Sequence, residues 1–469
     1  MKCSRLAHAR RSVSSLSAVT RVRESRARPR GPSEIRGGGE PIDTRWVDAR
    51  AAARHLGIQV RSLYAYVSRG QVRSVAGESG RPRLYALADL ERLRVRRDAR
   101  AGHGAVAAGA LRWGEPVLDS AITAITPRGP AYRGRLAIDL AERGTPYEIV
   151  AELLWSGELP NPDIAIDWPR IAVPVAALAK IVGEGARPLD TMPLIVQLGA
   201  LADPVVHRGE SRRRSAESHA ELANGGELAA CGRRLIPLLA ATLASTFSAA
   251  AITRALSASS VARIATRALG IDEAFAPEID RALVLLADHE LNASSFTARV
   301  AASTDADPYA CVAAALAAVS GPKHGSASED LARFADQLGS PDAARAEVRS
   351  LKKRGLAIPA FGHPLYANGD PRTPPLLASV DRVVADTGGT KRAKVILAII
   401  AATDAKPSVD VGLAALVAAL GLEPPVASGL FAVARSAGWL AHALEQRDAG
   451  YLLRPRARYI GRPIDLPGS

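Results

Sequence analysis

The sequence predicts an all-α body behind a small basic N-terminal module, and three observations lead there. The chain is rich in Ala, Leu and Arg, only 4% of its residues are aromatic, and it lacks long alternating runs of Val, Ile and Thr. That composition favours helix over sheet. Helix start and stop signals recur through the second half, with short loops between them. The third observation is charge. The formal net charge of +14 resides wholly in residues 1–100, which hold 23 Lys and Arg against 9 Asp and Glu, while the remainder carries 38 of each sign. A basic module is therefore joined to an electrically balanced body, and 469 residues suffice for two to four domains.

Residues 1–43 are rich in Arg and Ser and end in RGGGEPID, so they read as a disordered basic tail and linker. They share the composition of a transit peptide but lack the apolar core of a secretory signal. In residues 44–95, Val47, Ala51, Ala52 and Leu56 sit at helical spacing, Gly57 breaks the chain, and Val60, Leu63, Tyr64 and Val67 resume the period. QVRSVAGESGRPRLYAL then suits a hairpin around GESG, and ALADLERL closes with a helix. This order resembles the winged helix-turn-helix domains of the MerR and excisionase type. The resemblance implies DNA as a partner, with Arg61, Ser62, Tyr64 and Arg69 of the second helix in the major groove and Arg81 and Arg83 of the wing on phosphates. The competing reading is a small helical domain whose arginines form a solvated face.

Beyond Arg100 the reading is helical throughout. The longest uncharged stretch, Leu235 to Thr253, contains Pro237, three threonines and two serines, which fits a buried helix better than a membrane span. No membrane partner is expected. Asp307 and Pro308 open one helix that stops at Gly321 and Pro322, and Ser340 and Pro341 open another that closes at Gly355. The charged segment His207 to Gly226 reads as an exposed loop. Cys3, Cys231 and Cys311 are too few and too far apart for a disulfide framework or a zinc site, so a cytoplasmic setting without a metal is expected.

No Walker-type loop, GxSxG, HExxH or GxGxxG occurs, which removes the commonest nucleotide, hydrolase and metalloprotease readings. Three histidines lie in polar or glycine-framed sequence: His289 in ADHELNASSF, His324 in SGPKHGSASE and His363 in AFGHPLY. Asp410 stands at the start of a helix in SVDVGLAALVAALG. Taken singly, these are turn histidines and a first-turn acid. Arg372, Arg435 and Arg454 complete the set, because a pocket lined by several arginine forks suits a small dicarboxylate.

SGPKHGSASE, FGHPLYANGDPR, VDVGLAAL and FAVARSAGWLAHALEQRDAGYLLRPRARYIG occur in the order and approximate spacing of the citrate synthases. Tyr132, Arg133 and Gly134, with LLWSGELP from Leu153 to Pro160, extend the match, and the body resembles that family from Gly114 to Arg462. The resemblance implies a citrate synthase-like large helical domain (residues 96–320 plus 428–469) and a small one (residues 321–427), a homodimer, and no permanently bound cofactor. It implies oxaloacetate as substrate and acetyl-CoA, released as CoA, as cosubstrate. Asp410 matches the family's base, His324 the donor to the thioester carbonyl, His363 the donor that polarises the ketone, and His289 a further substrate histidine. Arg372, Arg435 and Arg454 match the carboxylate clamps, the last reaching across the dimer. Ile358, Pro359, Ala360, Phe361 and Gly362 match the loop that holds the CoA adenine.

Four positions depart from the family pattern. Ser326 and Ser328 stand where a glycine and an asparagine are usual, Pro364 where an arginine is frequent, and Val411 where an aromatic residue is usual. These changes border the acyl-CoA site, so propionyl-CoA and 2-methylcitrate form a second reading. A DNA-binding regulator that uses the synthase body as a ligand sensor is a third.

Overall fold

The computed structural model describes residues 46–56, 58–68, 71–75, 82–87, 89–90, 93 and 118–119 in one unit. A second unit comprises residues 120–161, 166–171, 173–180, 182, 185–203, 226–243, 247–363, 365–455, 457 and 461.

In the first unit the strand Trp46–Asp48 leads into the helices Ala49–Leu56 and Val60–Ser68, followed by the strands Ser74–Val75 and Leu84–Ala86. The last strand lies between the other two, antiparallel to both, with Val47 opposite Tyr85 and Val75 opposite Leu84. Val47 thus belongs to a strand rather than the first helix. The reason is local: the Asp48 carboxylate accepts the Ala51 N–H at 2.8 Å, so the helix starts only after it. Ala52, Leu56, Leu63, Val72, Tyr85 and Leu90 form a small core of their own. Arg61, Tyr64 and Arg83 are exposed and Ser62 is half-buried. Arg69, Arg81 and the tail 1–43 lie outside the described residues.

The second unit does not open with a helix. Strands Thr123–Thr126, Gly129–Tyr132 and Arg135–Leu136 form an antiparallel meander. Its turns need backbone that a helix cannot supply: Gly129 has φ 105°, and Arg133 and Gly134 have φ 47° and 83°. From Ala137 onward the described segments are helices and their connections. The expected caps are present, the Asp307 carboxylate accepting from Ala310 N–H and the Ser340 hydroxyl from Ala343 N–H. The apolar stretch from Leu235 is divided between two helices. Gly226–Ala241 ends early, and Ser248 caps Ala249–Leu256. The segment 207–225 lies outside the described residues. No helix among the described residues is long and apolar enough to cross a membrane.

The helix Pro425–Ala449 is the spine of the unit, buried along most of its length and packed against Gly226–Ala241, Ala293–Ala302 and Pro308–Val319. Alanines and glycines permit that approach. A Cβ at Gly429 would stand 2.6 Å from Leu243, and one at Gly438 would stand 2.3 Å from Asp288. This helix carries Arg435, and its neighbours carry the remaining site residues.

Candidate active site

His289 follows the helix Ala276–Leu286, and Asn292 caps the next helix by accepting from Ser294 and Ser295 N–H. The His289 Nε2 lies 2.9 Å from the Tyr366 hydroxyl. The His363 ring is centred 5.5 Å from that of His289 and 5.1 Å from that of Tyr366. The Leu365 N–H donates to His363 Nδ1 at 3.2 Å, which leaves the proton of a neutral ring on Nε2. Burial, reinforced by Arg372 and Arg435, lowers the His289 pKa well below its ordinary value. Burial also lowers that of His363, with Asp370 opposing. Both rings are neutral near pH 7.

His324 sits in the turn between Pro308–Val319 and Ala327–Leu338, where Gly325 is required because a Cβ would stand 2.1 Å from the Val319 carbonyl oxygen. Its Nε2 lies 2.9 Å from Ser294 Oγ, which also receives the Trp439 indole N–H at 3.0 Å. Burial and then Arg435 push the His324 pKa down to about 4, so this ring too is neutral.

Asp410 is the second residue of the helix Val409–Ala419, with Ser408 as N-cap. The Ser328 hydroxyl donates to Oδ1 at 3.1 Å and the Ser408 hydroxyl to Oδ2 at 3.3 Å. Part of the residue is accessible, while protein encloses the carboxyl group. Burial raises the pKa against the opposing pull of Ser328, Arg372 and Ser408. A carboxylate so raised is a stronger base than an exposed one.

Arg372, 2% exposed, forks onto Asp370 through Nε at 3.0 Å and Nη2 at 2.7 Å. Asp370 also accepts the Val409 N–H at 3.3 Å, which ties the Arg372 loop to the helix of Asp410. The third nitrogen, Nη1, is buried and has no hydrogen-bond partner among the described residues. Arg435, 1% exposed, donates Nε–H to the Leu286 carbonyl at 2.8 Å and lies 4.6 Å over the Phe431 ring. No carboxylate among the described residues forms an ion pair with it. Burial lowers its pKa, which Asp288 partly offsets.

The structure therefore joins His289, His363, Arg372, Arg435, His324 and Asp410 through shared contacts and mutual electrostatics. Arg454 is exposed on the C-terminal segment and makes none of these contacts. Ile358 to Gly362 forms a turn with Ala360 at φ 65° and Gly362 at φ 86°. It pairs with the segment before Asp410 through Gly362 N–H to the Lys406 carbonyl and Ser408 N–H to the Ala360 carbonyl. Pro364 lies outside the described residues.

Sequence reasoning missed Asp370, Tyr366 and Ser294. The first two stand beside chosen residues in GDPR and GHPLY, and Ser294 follows a capping asparagine, so each carried a local signal of low specificity.

Fold and site together define a mostly helical enzyme in which two buried guanidinium groups gather with three neutral histidines and a carboxyl group. Residues 110–456 match the family model "Citrate synthase, C-terminal domain", and the chain belongs to the citrate synthase family. Citrate synthase 2 of Bacillus subtilis is 40% identical over 186 residues, which cover 39% of this chain and half of that relative. The 2-methylcitrate synthase 2 of Corynebacterium glutamicum is 28% identical over 344 residues, 70% of this chain and 88% of its own. A citrate synthase of Mycolicibacterium smegmatis is likewise 28% identical over 363 residues, 73% and 92%. Among solved structures, the citrate synthase of Pyrobaculum aerophilum aligns with a TM-score of 0.64 at 26% identity, over 75% of this chain and 92% of its own.

Removing the Ser328 hydroxyl deletes a hydrogen bond that favours the ionised form of Asp410. Ser328→Ala is expected to raise the Asp410 titration midpoint by about one pH unit. Carboxyl 13C NMR follows this, with the resonance assigned by its loss in Asp410→Asn. An unchanged midpoint contradicts the role of that bond.

Proposed function

We propose that the chain condenses acetyl-CoA with oxaloacetate and water to give citrate and CoA. The observation that carries this reading is the pair of buried guanidinium groups. Among the described residues, Arg435 has no carboxylate partner and Arg372 keeps one buried nitrogen without an acceptor. Buried charge without a partner is costly, and a dianionic ligand with two separated carboxylates relieves both deficits at once.

The chemistry follows from the neighbours. Asp410 removes a proton from the acyl α-carbon, and His324 donates to the thioester oxygen so that the charge developing there is stabilised. Ser294 Oγ lies 2.8 Å from Asn292 Oδ1 and 2.9 Å from His324 Nε2, and the proposed role has that hydroxyl donate to Nε2 when substrate is bound, so that the ring's own proton stays on Nδ1. A neutral imidazole can give that hydrogen bond without forming a stable ion pair. The enol carbon then attacks the ketone carbon, whose oxygen accepts from His363 Nε2–H and from the His289 side. Water cleaves the resulting citryl thioester, releasing CoA.

Residues 321–427 hold His324, His363, Arg372 and Asp410, whereas residues 96–320 and 428–469 hold His289 and Arg435. A small domain closing on a large one would complete the site only when substrate is present and would exclude water during enolisation. The turn Ile358 to Gly362 is the proposed seat of the CoA adenine, and its backbone link to Ser408 places it next to the base. The exposed Arg454 is proposed to complete the site of a second copy in a homodimer.

Propionyl-CoA, giving 2-methylcitrate, is the second reading. Relatives of both names are 28% identical over comparable lengths, and Ser328 and Val411 line the region where the family pattern changes. Following CoA thiol release from acetyl-CoA and propionyl-CoA with oxaloacetate decides between them, and faster release with acetyl-CoA is expected. Asp410→Ala is expected to lower turnover by about 10²–10⁴-fold with oxaloacetate affinity retained. Near-normal turnover in that variant contradicts the assigned base.

The N-terminal unit is proposed to bind DNA. Support comes from the segregated charge and from Arg61, Tyr64 and Arg83 standing exposed on the helix Val60–Ser68 and beside the strand Leu84–Ala86. Full-length protein is expected to bind duplex DNA with an affinity that falls steeply with salt, and residues 120–469 alone are expected not to bind. Fluorescence anisotropy measures both. No binding at low salt, or equal binding by the truncated chain, contradicts the assignment.

A further inference from the structure

The segment Leu286 to Asp288 runs along one face of the helix Pro425–Ala449, and three contacts follow one another in step. Arg435 Nε–H donates to the Leu286 carbonyl at 2.8 Å. Gly438 N–H donates to the Ala287 carbonyl at 3.1 Å. His442 Nε2 lies 3.4 Å from Asp288 Oδ1. Positions 435, 438 and 442 share one helical stripe, so three consecutive residues of the segment meet three successive turns of the helix. The next residue is His289.

Both sides of His289 are pinned. Asp288 Oδ2 accepts the Glu290 N–H at 3.1 Å, and Glu290 has the left-handed φ of 55°, where a non-glycine residue is strained. The Tyr132 hydroxyl lies 3.2 Å from the Asp288 carbonyl oxygen. Only glycine fits at 438, because a Cβ would stand 2.3 Å from Asp288 Oδ1 and 2.6 Å from the Ala287 carbonyl oxygen.

Asp288 and His442 are both 0% exposed. Asp288 Oδ1, Thr123 Oγ1 and both ring nitrogens of His442 have no hydrogen-bond partner among the described residues. A core selected for stability alone would fill that space with apolar groups, since buried unsatisfied polar atoms are costly. Burial pushes the Asp288 carboxyl up, but His442, Arg435 and Thr123 outweigh it and hold the group below the usual carboxylate value. A buried negative charge thus sits near Arg435, which has no contacting carboxylate of its own.

We infer that Asp288 and His442 are positioning residues that fix His289 and Arg435 relative to one another, so that the ketone donor and the carboxylate clamp engage one substrate molecule. This rests on the proposed role of those two residues as oxaloacetate ligands. Neither Asp288 nor His442 touches substrate in this account.

Full-length His442→Ala, His442→Gln and Asp288→Asn variants test it by steady-state kinetics and by calorimetric titration with oxaloacetate. His442→Ala is expected to raise KM and Kd for oxaloacetate by about tenfold or more, with KM for acyl-CoA unchanged, since small displacements of positioning groups are strongly felt. Gln, which offers an amide N–H toward Asp288, is expected to restore most of the loss. Asp288→Asn keeps the side-chain volume and is expected to reproduce the oxaloacetate defect, which keeps the test open should His442→Ala fail to fold. Unchanged oxaloacetate affinity in a folded variant overturns the inference, as does a uniform fall in activity and melting temperature that Gln does not rescue. Absence of oxaloacetate binding by the wild-type chain instead removes the substrate reading, and the positioning role falls with it.

Discussion

The site depends on two buried guanidinium groups, Arg372 and Arg435, whose positive charge is only partly matched by carboxylates among the described residues. Among the described residues, Arg435 donates to a backbone carbonyl, lies over the face of Phe431 and forms no ion pair with a carboxylate, while Arg372 gives two of its nitrogens to Asp370 and keeps Nη1 without a partner. Arginine cannot escape that situation by losing its proton. The surrounding groups have adjusted instead. His289, His324 and His363 are driven neutral, partly by these cations, and Asp370 is held ionised as a fixed counter-ion. Buried positive charge thus stands among neutral imidazoles.

The scaffold serves that electrostatic arrangement through backbone contacts. Asp370 joins the Arg372 loop to the first turn of Val409–Ala419, which ties Arg372 to the helix of Asp410. Ser294 joins His324 to Trp439 on the long central helix. The same helix holds Leu286 to Asp288 against the stripe of Arg435, Gly438 and His442. Residues far apart in sequence are placed by a few rigid helices and short turns, a geometry that preorganises donors before substrate arrives.

The sequence made visible what is local. The caps at Asp307 and Ser340 and the helix Val60–Ser68 follow from residues within one turn of each other. The motifs around His289, His324, His363, Asp410, Arg372 and Arg435 led to residues that the fold brings together. The meander at Thr123–Leu136 was not legible, because its strands have only two to four residues and depend on turns at Gly129 and Gly134 rather than on alternation. Asp288 and His442 were equally hidden. Their pairing exists only because a loop and a helix 154 positions apart are pressed together at Gly438. Arg454 remains a sequence-level expectation for a second copy, since a single chain leaves it exposed.

Calorimetric titration of the wild-type chain with oxaloacetate and with 2-oxobutyrate, which keeps the ketone and one carboxylate but ends in a methyl group, tests the central claim most directly. If buried Arg435 and Arg372 are built for two carboxylates, 2-oxobutyrate binds about a hundredfold or more weakly than oxaloacetate, because one guanidinium is left unpaired. Comparable affinities for the two ketoacids would contradict the account.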